Sequence, residues 1–183
     1  LETEMFLKKL KVANIKRTGN LKFCKAKNEK KNYLKKPFLS SIKNRIIFCA
    51  SSTHPTEERQ IAKSHLSLKK KYKNLLTIII PRHIERVKEI YSDLESLNLN
   101  TIIRSSNKKV NPNTDVYLVD TYGETKKFFN ISKIAFIGGS IISHGGQNPI
   151  EPARFGLNIL HGPNTQNFSD IYRFFNKSKI AHK

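Results

Sequence analysis

The sequence is poor in several residue types, and each shortage argues against a class of protein. It has no tryptophan, eight glycines and only two cysteines, Cys24 and Cys49, in 183 residues. The cysteines lie far apart without a CxxC pair or a nearby histidine cluster, so neither a disulfide framework nor a zinc site is indicated, and free thiols in a reducing compartment are expected. No apolar run approaches the roughly 18 residues of a membrane-spanning helix, and the lysine-rich start lacks the apolar core of a signal peptide.

Acidic side chains are also scarce. The chain has 34 lysines and arginines against 14 aspartates and glutamates, which gives a formal net charge of +20. Such a charge favours nucleic acid, anionic membranes or phosphorylated ligands as partners. Lysine far outnumbers arginine, however, so biased residue usage spread over solvated faces stays open as an alternative.

The first part of the chain is weakly patterned. Residues 1–44 are interpreted as a lead-in or interdomain segment, in which VANIKRTGNLKF predicts a strand, a turn at Gly19-Asn20 and a second extended piece. From Arg45 the pattern changes, and residues 45–183 are predicted to form one domain with a real core. The chain begins with Leu1, so we expect it to be a piece of a longer protein.

From Arg45 onward, apolar runs alternate with amphipathic stretches. RIIFCA predicts a strand buried on both faces, and a helix is predicted from about Pro55 to Tyr72. This alternation predicts a Rossmann-like, doubly wound parallel sheet with helices on both faces. The further predicted strands are LLTIII, NTIIR, DVYLVD, KIAFIGG and LNILHG, and the further helices are HIERVKEIYSDLESL, GETKKFFNIS, NPIEPARFG and NFSDIYRFF.

Unusual residues follow four of the predicted strands. Ligands of doubly wound sheets bind outside the carboxyl ends of the strands. We therefore expect these segments to line one edge of the sheet and to hold a ligand there. They are SSTH, PRH, DTYGE and GGS, in chain order.

The segment HGGQNPIEPA has two interpretations. Asn148 is a suitable N-cap, Pro149 suits the first helical position, and Glu151 can complete a capping box, so the motif can be helix punctuation alone. A helix N-terminus preceded by Gly145 and Gly146 can also bind an anion or a sugar. The position beyond a strand edge favours ligand binding.

Gly138, Gly139 and Ser140 directly follow a predicted strand. They can serve a tight turn only, or offer donors to a phosphate or carboxylate. The segment is neither GxGxxG nor a P-loop, so dinucleotide and ATP fingerprints are missing.

Charged and titratable residues near the strand ends are ambiguous. Arg82 can contact a phosphate through paired hydrogen bonds, or pair with Glu85 at the surface. His54 and His83 each follow a strand, but a lone histidine is more often structural or solvent-facing than catalytic.

Three glutamates stand in the first turns of predicted helices. Glu57, Glu58 and Glu124 would stabilise the helix dipole whether or not they contact a ligand. Residue chemistry alone assigns them no further role.

Six segments taken together resemble the C-terminal half of the 3-deoxy-D-manno-octulosonate (Kdo) transferases, which are inverting glycosyltransferases of lipopolysaccharide synthesis. The resemblance covers roughly residues 18–171. It implies a glycosyltransferase-B architecture of which this chain is similar to the second, nucleotide-sugar domain, with GNLKF as the crossing between the two domains. The segments are GNLKF, ASSTHPTEE, PRHIER, VDTYGE, IAFIGGS and GGQNPIEPARFG…ILHGPNTQNF.

The resemblance also implies ligands and site residues. The donor would be CMP-Kdo, without a separate cofactor or metal, and the acceptor a lipid A precursor at the anionic cytoplasmic face of the bacterial inner membrane. Lys22 matches a lysine that offsets charge as the phosphate leaves. The residues expected to hold or border the CMP group are Pro81, Arg82, Tyr122, Gly123, Glu124, Gly138, Gly139, Ser140, Asn148, Pro149, Ile150 and Glu151.

The catalytic base of the family is a glutamate of the N-terminal domain, which we expect this chain to lack. Alone, the chain is expected to bind CMP or the donor weakly and not to catalyse transfer. A partner chain could supply the missing domain.

Three residues depart from the family pattern. Thr56 stands where glycine is usual, Tyr122 where methionine is common, and Gln147 where histidine is common. Thr56 adds a Cβ at a helix start, and Gln147 removes a titratable group but keeps hydrogen bonding.

Two other function classes remain alternatives. A sugar-nucleotide epimerase or hydrolase could share this half-fold, and only the combined motif order argues against it. A basic nucleic-acid-binding module is disfavoured, because the aromatic residues are scattered among core positions instead of forming a stacking platform.

Overall fold

The computed structural model describes residues 2–16 and 33–183. The chain divides into two compact units, Leu1–Lys30 and Lys31–Lys183. In the first unit, helix α1 (Glu2–Lys9) carries an ion pair of 2.8 Å between Lys8 and Glu4. No strand forms over residues 12–16, and the remainder of the predicted strand and turn, with Lys22, lies outside the described residues.

The second unit is built on a seven-stranded sheet in the order β3-β4-β2-β1-β5-β6-β7. Every pair of neighbouring strands is parallel. The doubly wound sheet predicted from the alternating pattern is thereby confirmed. The strands are β1 (Ile46–Thr53), β2 (Leu75–Pro81), β3 (Thr101–Ile103), β4 (Val116–Leu118), β5 (Ile134–Ile137), β6 (Asn158–Leu160) and β7 (Ala181–His182).

Within residues 33–183, six helices connect or flank the strands. Three short 3₁₀ segments in the same range, Ile84–Arg86, Arg104–Ser106 and Gln166–Phe168, add to the connections. The helices are α2 (Lys36–Ser41), α3 (Glu57–Lys69), α4 (Val87–Ser96), α5 (Thr125–Phe129), α6 (Ile150–Arg154) and α7 (Ser169–Lys177). Among the described residues, none of the helices has the length and apolar character needed to cross a membrane.

The central strands β1 and β2 are mostly apolar because both faces of the sheet are covered. All seven residues of β2 are buried, and Cys49 of β1 is completely enclosed. Burial raises the pKa of the Cys49 thiol to about 12, which keeps it protonated and unreactive.

Two apolar layers sandwich the sheet. One layer contains Phe128 and Tyr172 and lies against α2, α5, α6 and α7, and the other contains Ile90 and Leu94 and lies against α3 and α4. Residues of the predicted lead-in join the first layer, since Leu34 and Ile42 are buried in it. Helix α2, within the segment predicted as a lead-in, thus lies in the second compact unit.

A polar network closes the amino ends of the strands. The Arg45 guanidinium donates to four backbone carbonyls besides a weaker contact, among them those of Leu75 (2.8 Å) and Thr114 (2.5 Å). The buried Asp115 carboxylate pairs with Lys69 and with the His65 ring, whose pKa burial lowers to about 4. The charged side chains described at this end of the sheet are thus bonded to other groups of the protein.

Candidate functional site: the carboxyl edge of the sheet

The sheet changes its winding direction between β1 and β5. The chain runs from β1 to β2 on one side, and after β4 it crosses to β5 on the other side of β1. Loops that leave two such strands diverge and open a crevice at their carboxyl ends, which is where ligands bind in doubly wound folds. The predicted edge therefore exists, and its centre lies between the loops after β1 and β5.

The chain leaves β1 through backbone conformations that are rare for residues with a Cβ. Ser52 has φ of 56° and Thr56 has φ of 76°, and the pairing of β1 with β2 is irregular between Ser51 and Thr53. Left-handed backbone at β-branched residues is strained and tends to occur at functional sites. Thr56 occupies the position where the family pattern has glycine, and the positive φ supplies the physical reason for that glycine.

Glu57, at the start of α3, ties the β1 and β5 loops together. Its side chain is 0% exposed. Oε2 accepts the amides of His54 (3.0 Å) and Gly139 (2.8 Å), and Oε1 accepts those of Ser140 (3.0 Å) and Ile141 (2.9 Å). The Gly139 and Ser140 amides, which the sequence offers as donors to a ligand anion, thus already donate to an internal carboxylate.

The glycines after β5 permit close backbone contact. A Cβ on Gly138 would lie 2.2 Å from the carbonyl oxygen of Ser52, so only glycine fits there. Gly146 has φ of 76° and donates its amide to the Gly139 carbonyl at 2.7 Å. This folds the β5 loop back on itself, and the tight-turn interpretation of these glycines holds.

Two histidines meet above the crevice. The rings of His54, from the β1 loop, and His144, from the β5 loop, have centroids 4.2 Å apart and planes inclined by 38°. Gln147 Nε2 lies 3.3 Å from His54 Nε2. Sequence analysis did not single out His144, because nothing in its local sequence indicated that it meets His54.

The end of β2 contributes Pro81, which is buried, and Arg82, which is exposed. The Arg82 amide donates to the Thr53 carbonyl at 2.9 Å and so fixes this loop against β1. Glu85 lies 3.4 Å from His83 Nδ1 instead of pairing with Arg82. Within residues 2–16 and 33–183, no carboxylate forms an ion pair with the Arg82 guanidinium.

The segment after β4 is organised by Glu124. Arg104 donates to both carboxylate oxygens (2.9 and 3.2 Å), and Thr121 (2.5 Å) and Lys127 (2.8 Å) add one hydrogen bond each. The bidentate arginine lowers the pKa of Glu124 to about 2 and raises that of Arg104. Glu124 therefore stays ionised and orders the loop.

This ordered loop presents Tyr122 and Gly123. The Tyr122 side chain is 74% exposed, which is unusual for an aromatic residue. Gly123 has φ of 75°, and a Cβ there would meet nothing within 4 Å. The glycine thus serves the turn, and the open space beside it leaves room for a ligand.

The start of α6 differs in detail from the expected capping box. Asn148 Oδ1 accepts the amide of Ile150 at 3.0 Å, so Asn148 does cap the helix, while the buried Pro149 stands just before it. Glu151 does not reach back to Asn148. Its carboxylate lies 3.4 Å from Lys126 Nζ and is 39% exposed, so the capping-box prediction was wrong and the carboxylate faces solvent beside α5.

The site has the character of an anion-binding edge. In the described part of the chain, no three His, Cys, Asp or Glu side chains are grouped so that they could hold a metal ion. The edge brings together Arg82, the His54–His144 pair, Tyr122 and the start of α6. Cationic and hydrogen-bonding groups of this kind suit a phosphorylated ligand with a sugar.

Comparison with known proteins gives consistent relatives, although no family model matches the chain. A 3-deoxy-D-manno-octulosonic acid transferase of Haemophilus influenzae is 40% identical over 161 residues, which is 85% of this chain and 37% of that protein. Proteins of the same name from Rickettsia bellii and Aquifex aeolicus are 34% and 32% identical over 99% and 97% of this chain. These alignments cover 44% and 47% of the two proteins, so the chain spans less than half the length of these curated relatives.

A solved structure matches the fold as well. The crystal structure of the C-terminal CMP-Kdo binding domain of WaaA from Acinetobacter baumannii superposes with a TM-score of 0.73 at 32% sequence identity. The match covers 78% of this chain and 75% of that domain.

Proposed function

Because the chain belongs to the 3-deoxy-D-manno-octulosonic acid transferase family, we propose that it is the donor-binding half of an inverting glycosyltransferase that uses CMP-Kdo. In this proposal the donor lies along the carboxyl edge of the sheet, from the end of β2 to the start of α6. The donor is the only small molecule required, with no separate cofactor.

The proposal depends mainly on the exposure of the Arg82 guanidinium. It is exposed beside the crevice between the β1 and β5 loops, and no described carboxylate neutralises it. A guanidinium that is not engaged by the protein is available for two parallel hydrogen bonds to a phosphate. Arg82 is therefore assigned to the phosphate of the nucleotide.

The nucleoside is assigned to the neighbouring loops. The exposed ring of Tyr122 offers a face on which a pyrimidine base can stack. Glu151 has a solvent-facing carboxylate that does not cap its own helix, so it can accept hydrogen bonds from ribose hydroxyls. Glu124 acts indirectly, because its four hydrogen bonds fix the loop that presents Tyr122.

The proposed reaction divides its tasks between two domains. An acceptor hydroxyl of a lipid A precursor attacks the anomeric carbon of Kdo, the bond to the phosphate of CMP breaks, and the hydroxyl proton passes to a general base. The base is assigned to another domain of the transferase. Residues of this chain stabilise the negative charge on the departing CMP, with Arg82 at the phosphate and Lys22 as predicted from the family pattern.

The charge of the chain fits an acceptor held at a membrane surface. Lysines near an anionic leaflet contribute roughly 1 kcal/mol each to binding, and the chain carries a net charge of +20. We place the working enzyme at the cytoplasmic face of the inner membrane on this ground.

Calorimetric titration of the 183-residue chain with CMP tests the proposal. Arg82→Ala and Glu151→Ala should each weaken CMP binding by about 10- to 100-fold, as expected for loss of hydrogen bonds involving a charged group worth roughly 1.5–3 kcal/mol. Arg173→Ala, which removes an exposed arginine of α7, is the matched control and should leave the affinity unchanged. A folded chain that binds no CMP at millimolar ligand would overturn the proposal.

Two further measurements separate the alternatives. If the chain is joined to the N-terminal domain of a relative, the transferase proposal requires Kdo on the acceptor, whereas an epimerised or free sugar would indicate an epimerase or hydrolase. Tight binding of nucleic acid that weakens steeply with salt would instead indicate a basic nucleic-acid module.

A further inference from the structure

The rings of His54 and His144 come from two different loops and meet at the candidate site. His144 is exposed on the β5 loop. Gln147 lies within hydrogen-bond distance of the far nitrogen of His54, which limits the rotation of that ring. The two imidazoles are thus in contact, with their planes tilted by 38°, at the mouth of the crevice.

Cationic and titratable groups surround the pair from each neighbouring loop. His83 lies 5.9 Å from His54 in an edge-to-face arrangement, and Arg82 stands next to His83. Burial first, and then His144, His83 and Arg82, lower the pKa of the His54 ring, while the Glu57 carboxylate below it acts in the opposite direction. The His54 ring therefore resists protonation as long as no anion is present to compensate the charge.

An incoming phosphate has few other places to bind near the β1 and β5 loops. The amides of Gly139, Ser140 and Ile141 already donate to Glu57, so they offer no further hydrogens. A phosphate that bound against this turn would also lie next to the Glu57 carboxylate. Among the described residues, the Arg82 guanidinium and the two imidazoles above the crevice are available as partners.

We propose that His54 and His144 bind the nucleotide phosphate together with Arg82, and that the histidine pair takes up a proton when the phosphate binds. This inference rests on the proposed function, because it adds two ligand-binding residues to the same donor site. A bound anion adjacent to both rings favours their charged form. Affinity for the nucleotide should therefore rise as pH falls through the range in which the pair titrates.

A probe with a constant charge is needed to see this effect. The monoester phosphate of CMP itself gains or loses a proton near pH 6. The methyl ester of CMP is a phosphodiester, carries one fixed negative charge as the phosphate of CMP-Kdo does, and isolates the titration of the protein. Cytidine, which has no phosphate, serves as the second probe.

The experiment measures affinity for both probes by calorimetry at pH 6, 7 and 8. For the methyl ester, uptake of one proton on binding predicts that the affinity falls by up to about tenfold for each unit by which the pH is raised. Calorimetric titrations in buffers of different ionisation enthalpy should detect the proton that is taken up. His144→Phe keeps a stacked ring but cannot protonate, so it should flatten the pH dependence. His182→Gln, at an exposed position on β7, should retain it.

The outcomes separate the inference from the proposed function. Methyl ester binding that is independent of pH, or unaltered in its pH dependence by His144→Phe, would overturn the inference alone. Equal pH dependence for cytidine would also overturn it, because the phosphate would then not be the group sensed. Failure of the folded chain to bind either probe would overturn the proposed function and the inference together.

Discussion

Replacing Glu57 by glutamine removes one charge and one acceptor atom from the centre of the site without changing the size of the side chain. In the native chain, each carboxylate oxygen accepts two amides, at 2.8 and 3.0 Å for Oε2 and at 3.0 and 2.9 Å for Oε1. A glutamine must place its NH₂ group at one of the two oxygen positions. Whichever position it chooses, two backbone N–H groups then face a donor instead of an acceptor.

The magnitude follows from these two amides. An unsatisfied buried donor costs about 1–3 kcal/mol, so Glu57→Gln should lower the free energy of unfolding by about 2–6 kcal/mol. This is a large part of the roughly 5–15 kcal/mol typical of a domain. The donors belong to the β1 and β5 loops, so the variant should also weaken CMP binding.

Urea unfolding followed by circular dichroism measures this change. Glu89→Gln is the matched control, because Glu89 is 63% exposed and shares Arg86 with Glu58. The control should change the free energy of unfolding by no more than about 0.5 kcal/mol. If the free energy of unfolding of Glu57→Gln lay within about 0.5 kcal/mol of the wild-type value, the carboxylate would not be the group that holds the two loops together.

Two further predictions concern the loops at the edge of the sheet. Thr56→Gly should relieve the strain of a left-handed backbone, which costs on the order of 1–3 kcal/mol for a residue with a Cβ. The greater chain entropy of glycine in the unfolded state offsets roughly 0.5–1 kcal/mol of this gain. The melting temperature should therefore rise by a few degrees. Thr56→Ala, which keeps the Cβ, should give less of this gain, and a fall in melting temperature for Thr56→Gly would contradict the strain argument. The pKa of Glu124 is lowered from 4.5 to about 2, so its ionised form stabilises the fold by on the order of 3 kcal/mol. This stabilisation should be complete above pH 4.5 and be lost as pH falls through 2. Urea unfolding from pH 6 to 2 should therefore show the difference between wild type and Glu124→Gln shrinking towards zero at the acid end, and a constant difference would refute the Arg104 contact as its source.

The pattern of apolar runs was sufficient to predict the sheet, because strands buried on both faces are composed mainly of apolar residues. RIIFCA and LLTIII correspond to the two central strands β1 and β2. The short β7 (Ala181–His182) was not predicted, since two residues carry no period. Helix α2 was not predicted either. It has only six residues, and none of them is fully buried, so the sequence shows no apolar face there.

The edge of the site was predictable, but its internal contacts were not. Residues that follow parallel strands must meet at one edge, which is why Arg82 and Gly138 could be assigned to it. Glu57 and its partners Gly139, Ser140 and Ile141 are more than 80 positions apart, and no local pattern indicates that they are joined. The assignment of individual residues to CMP stays a prediction.

An ion pair with another helix explains why the predicted capping box does not form at the start of α6. The spacing of Asn148 and Glu151 fits a capping box, and local sequence offers no reason to reject it. Lys126 of α5, more than 20 positions away in sequence, attracts the carboxylate instead. Since sequence alone cannot place α5 against α6, the outcome depended on tertiary packing.

The bonds of Glu57 also have a mechanical consequence. Because the Glu57 side chain is bonded to three amides of the glycine turn after β5, that turn and the first turn of α3 can separate only if three hydrogen bonds break at once. These parts must therefore move as one rigid body when a nucleotide enters or leaves. Adjustment to the ligand is left to the exposed side chains around them, namely the guanidinium of Arg82, the ring of Tyr122 and the imidazole of His144.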